Sequence, residues 1–101
     1  MAKIKAVIKR PGKKPYVTWI SNTMENLQKI VGGYIETVTV ADDAVIICDE
    51  EGRLKRKDFN CMICGVGFVG TIIICGISGD DFGNIPIELS DVEKLFPKLF
   101  D

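Results

Sequence analysis

Thr71-Ile72-Ile73-Ile74-Cys75 decides how this chain is read: after the threonine it is apolar at every position. An unbroken apolar, β-branched run of this length predicts a central strand covered on both faces, where a half-exposed strand would alternate. Just before it, Gly65-Val66-Gly67-Phe68-Val69-Gly70 fits the spelling G-x-G-x-x-G. In dinucleotide enzymes those glycines follow a strand and open a helix, whereas here they precede a strand, so a turn or bulge accounts for them without a ligand.

Working back from the central run, Tyr34 to Val40 and Ala44 to Cys48 are strand-like and joined by Ala41-Asp42-Asp43, which predicts a hairpin closed by Asp49-Glu50-Glu51-Gly52. Arg53 to Gly65 shows no clear period. Upstream, Asn22 with Glu25 has capping-box spacing and opens a helix over about Thr23 to Val31. Met24, Leu27, Ile30 and Val31 form its apolar stripe, and Gly32-Gly33 supplies the left-handed stop. Lys3 to Lys9 alternates, Pro11-Gly12-Lys13-Lys14-Pro15 breaks it, and Tyr16 to Ile20 is β-branched and aromatic, so the chain opens on a second hairpin. At the far end Ser90 and Glu93 repeat the cap spacing, and Val92, Leu95, Phe96, Leu99 and Phe100 follow helical periodicity with a kink at Pro97.

The order is strand, strand, helix, strand, strand, strand, helix. It predicts a single α+β domain over residues 1–101, a mixed sheet of about five strands with one helix packed across it in a β-grasp-like arrangement, and a C-terminal helix. The chain has 101 residues, 47% hydrophobic and 27% charged, which is ordinary for a globular domain and excludes disordered or fibrous classes. No apolar run approaches the roughly 20 residues of a membrane span, and the alternating N-terminus lacks a signal-peptide core, so a cytoplasmic protein without a membrane partner is expected.

The net charge of −1 gives no general affinity for nucleic acid, but ten of thirteen basic residues lie in two segments. Lys3, Lys5, Lys9, Arg10, Lys13 and Lys14 form one, and Arg53, Lys55, Arg56 and Lys57 the other. The second segment is the expected partner-binding surface, together with an edge strand open to strand addition. Tyr16 and Trp19 fall on opposite faces of their strand and so make no common stacking platform.

Cys61-Met62-Ile63-Cys64-Gly65 has the spacing of half a zinc site; completing it would need both Cys48 and Cys75, or an acid in place of one, and no cofactor is expected. Buried thiols are the simpler reading for a chain kept in a reducing compartment. Thioredoxin-like use is disfavoured because glycines, not a helix, follow the pair. The acid pairs Asp42-Asp43, Glu50-Glu51 and Asp80-Asp81 sit in turns, and with no histidine no serine is activated, so a non-enzymatic protein is expected with no catalytic residues.

Lys5-Ala6-Val7-Ile8-Lys9-Arg10-Pro11-Gly12, Val31-Gly32-Gly33-Tyr34-Ile35-Glu36, Asp49-Glu50-Glu51-Gly52 and Phe68-Val69-Gly70-Thr71 together resemble a family of small proteins of unknown function found in bacterial conjugative elements and phages. The resemblance spans most of the chain. It implies an accessory role in a mobile element, with no activity, cofactor or catalytic residue to carry over. Three functions follow as expectations: a protein-interaction module, able to form homo-oligomers; a nucleic-acid binder using both basic segments; or a small zinc domain built on the four cysteines.

Overall fold

The structure, a computed structural model, describes residues 2–86. The elements are β1 (Lys3–Lys9), β2 (Tyr16–Ser21), α1 (Met24–Val31), β3 (Ile35–Ala41), β4 (Ala44–Asp49), β5 (Phe59–Ile63), β6 (Val66–Val69), β7 (Ile72–Ser78) and β8 (Asp81–Gly83). The main sheet has six strands in the order β2-β1-β7-β4-β3 with β8 beside β7, and β5 and β6 form a separate two-stranded sheet.

β7 is the central strand the isoleucine run predicts, and Ile72, Ile73, Ile74 and Cys75 are all buried between β1 and β4. Both faces of the main sheet are covered. On one side α1 packs over Ile4, Ala6, Ile8, Val45, Ile47, Ile73 and Cys75 through Leu27 and Val31. On the other, Cys61, Ile63 and Phe68 of the β5–β6 hairpin cover Val7, Ile46, Cys48, Ile72 and Ile74. Each isoleucine buried this way contributes about 1.5–3 kcal/mol relative to exposure, so β7 anchors two cores at once.

The α+β class holds, but among the described residues the sheet is not mixed: every pairing there is antiparallel. Parallel neighbours require a crossover, and the one helical crossover described, α1, runs from the edge strand β2 to the opposite edge strand β3. The β-grasp-like plan is therefore present in its opening hairpin and covering helix but not in its strand directions. The expected C-terminal helix, with Ser90, Pro97 and its apolar stripe, lies outside the described residues.

Local departures have local causes. Thr23, not Asn22, caps α1, accepting the Asn26 N–H at 3.2 Å. Asn22 instead reaches Asp81 Oδ1 and the Phe82 carbonyl, tying the helix start to β8. Met24 of the expected stripe is exposed. Within Arg53 to Gly65 the period is hidden because a register shift between Phe59 and Cys61 interrupts β5. No helix among the described residues is long and apolar enough to cross a membrane.

Candidate functional site

Asp49 ends β4 with its side chain 1% exposed, one residue before the chain turns outward. A buried carboxylate must be paired, and two ammonium groups reach it: Lys55 Nζ at 2.9 Å and Lys57 Nζ at 2.6 Å, with the Glu51 N–H donating at 2.9 Å. Burial by itself would raise the Asp49 carboxyl, but hydrogen bonds from Lys57, Lys55 and the Glu51 N–H, with the Lys57 charge, outweigh it and hold the group down to about 2.

The same lysines also close the helix. Lys57 Nζ donates to the Val31 carbonyl at 2.7 Å and Lys55 Nζ to the Gly32 carbonyl at 3.1 Å, where the C-terminal end of α1 is partially negative. Gly32, at φ 82, makes the left-handed cap and donates to the Gln28 carbonyl. Gly33 must lack a side chain for a different reason: a Cβ there would stand 2.6 Å from both Asp49 Oδ1 and Lys55 Nζ. One ion cluster thus joins the ends of β4 and α1 to the turn over residues 50–57.

The expected partner-binding set divides in the structure. Arg53, Lys55, Arg56 and Lys57 share a segment but not a role. Lys55 and Lys57 are structural counter-ions, and Arg53 donates to the Gly67 carbonyl at 2.9 Å on the hairpin. Arg56 alone of the four remains uncommitted among the described residues, exposed and held at φ 55. Asp49 is the residue that sequence reasoning missed. Its signal was an acid directly after a wholly buried strand, with lysines at Lys55 and Lys57 within one turn of chain.

A cleft of about 500 Å³ opens beside this cluster, lined by Ile30 and Val31 of α1, Pro11, Thr71, Arg56, Lys57 and Asp58. Pro11 belongs to the turn carrying Arg10, Lys13 and Lys14, all exposed. The two basic segments therefore meet at one end of the molecule. Tyr16 lies there too, hydrogen-bonded by Arg10, whose guanidinium carbon stands 5.6 Å from the ring centroid.

The four-cysteine zinc centre is not assembled. Cys75 lies in the helix-side core and Cys48 and Cys61 in the hairpin-side core, while Cys64 is exposed. The parity is decisive: Val45 pairs with Cys75, and Cys48, three residues along β4, must point to the other face. No group of three or more cysteine and acidic ligands gathers among the described residues. Cys64 and Gly65, at φ 50 and 80, instead form the two-residue turn of the β5–β6 hairpin, and both being positive marks a type I′ turn. Burial pushes the Cys48 thiol up to about 11, helped by Glu36 and Asp49, and Cys75 up to about 12. Both are held as neutral, unreactive thiols.

One further feature is exposed by the topology. Among the described residues β3 pairs only with β4, leaving its other edge open. Glu50 N–H donates to the Tyr34 carbonyl, which marks that pair as bonded; by alternation Ile35, Thr37 and Thr39 direct their own N–H and C=O groups away from β4. Glu36 is the one charge on the strand and no proline interrupts it.

No curated protein and no solved structure matches the chain. The model of one family, a domain of unknown function, matches residues 4–99. On that match, which takes in the strands, the helix and the Asp49 cluster alike, the chain belongs to the DUF3846 family.

Proposed function

We propose that the chain is a non-enzymatic protein-interaction module that accepts a partner strand along β3. The edge of β3, unpaired among the described residues, β-branched and nearly uncharged, carries this reading. Edges of this kind are normally blunted by lysine, proline or a covering element, because they template pairing with another chain. Main-chain bonds to Ile35, Thr37 and Thr39 would supply affinity, and the flanking Val38 and Val40 would supply side-chain selectivity. A small adaptor of this type suits the accessory role in conjugative elements or phages that the sequence resemblance implies.

Thr37→Pro tests the reading, since its N–H points outward and its loss removes no bond to β4. Wild-type and variant proteins are used to capture partners from host extract, and exchange of the Thr37 and Thr39 amides is followed in the wild-type complex. We expect the variant to keep its melting temperature and lose the partner, and those amides to become protected on binding. Equal capture by both proteins, or unprotected β3 amides in the complex, would overturn strand addition.

A further inference from the structure

We propose that the basic end of the molecule, around the cleft between the β1–β2 turn and the C-terminus of α1, binds the phosphate backbone of single-stranded nucleic acid. Two basic segments far apart in sequence converge there, since Pro11 and Arg56 line the same cleft. Arg56 is exposed in its lining, and Arg10, Lys13 and Lys14 are exposed on the turn that contributes Pro11. The negative groups nearby do not cancel them. The C-terminal carbonyls of α1 and the Asp49 carboxylate are already neutralised by Lys55 and Lys57, which leaves Asp58 as the opposing charge in the lining.

Arg56 is the second observation. At φ 55 a side chain is disfavoured and glycine or asparagine is the structural choice. Its guanidinium is exposed and has no hydrogen bond or ion pair among the described residues, so it is free to meet a ligand. The turn is held by Lys55 and Lys57, anchored on either side of it, and it presents the Arg56 side chain outward at the cleft. The cleft is open and a basic turn continues from it, an arrangement suited to an extended chain of phosphates more than to one buried anion. Tyr16, exposed with the Arg10 guanidinium over its ring, adds an aromatic group to this end of the molecule.

The test is fluorescence anisotropy of a labelled oligothymidine with the full chain over a salt series. For four phosphate contacts at a slope of about −0.7 each, affinity falls about 50-fold between about 50 and 200 mM salt. Arg56→Gly should weaken binding about fivefold and lower the salt slope by about 0.7, with the melting temperature unchanged or higher because glycine suits the conformation. Lys13→Ala with Lys14→Ala, on an exposed turn, should weaken it further. A flat salt response, or Arg56→Gly binding like wild type, would overturn the proposal. So would a labelled oligoglutamate peptide binding as tightly as the oligonucleotide, which would make this an acidic-peptide surface.

Discussion

Asp49 concentrates the polar energetics of the molecule in one side chain. Replacing it with alanine leaves Lys55 and Lys57 beside each other with no counter-charge but partly solvated, and the expected cost is about 2–3 kcal/mol in urea unfolding. The pH dependence has a definite sign. With its folded carboxyl held at about 2 against an ordinary 3.8, Asp49 takes up its proton in the unfolded chain first, so its contribution is complete above about pH 4 and is lost as pH falls toward 2. The amount lost is on the order of 2 kcal/mol. Asp49→Asn should lack that part of the acid decline; parallel acid profiles for the two proteins would show that the carboxylate is not held by the lysines. The same cluster decides what a charge reversal of Arg53, Lys55, Arg56 and Lys57 together would report: unfolding, not the loss of a surface.

Among the elements, the β5–β6 hairpin is the one whose sequence was most misleading. Its turn residues Cys64-Gly65 read as the end of a metal-binding motif, yet the backbone there requires two positive φ angles, and asparagine before glycine satisfies that requirement better than cysteine. Cys64→Asn should therefore stabilise the protein by about 0.5–1 kcal/mol, measured by denaturant midpoint. A destabilised variant would argue that the thiol itself does something at that position. The hairpin packs on the sheet through Cys61, Ile63 and Phe68, while Phe59 and Met62 stay exposed, so its inward face alternates as a strand should once the interruption at Asn60 is allowed for.

At the scale of the whole molecule, covering the sheet on both faces sorts the four thiols. Cys48, Cys61 and Cys75 lie under the helix or under the hairpin, and Cys64 stands in solvent. Under native conditions a thiol reagent should titrate one cysteine quickly, with the other three released only on unfolding, and a chelator should leave the melting temperature unchanged. Rapid modification of two or more thiols, or melting lowered by the chelator, would contradict the division of the cysteines between two cores. What the sequence by itself determined was local: the covered central strand in Ile72 to Cys75, both hairpins flanking α1, the helix and its glycine stop, and the solvated acid turns. Those readings depend on periodicity and turn chemistry, which act over a few residues. The tertiary structure alone decided that β7 inserts between β1 and β4, that Cys75 faces away from Cys48, and that Lys55 and Lys57 turn inward. It also set Pro11 and Arg56 on one cleft and, among the described residues, left the outer edge of β3 unpaired. Each of these depends on strand order and on which buried charge must find a partner, and both are settled by contacts between residues distant in the chain.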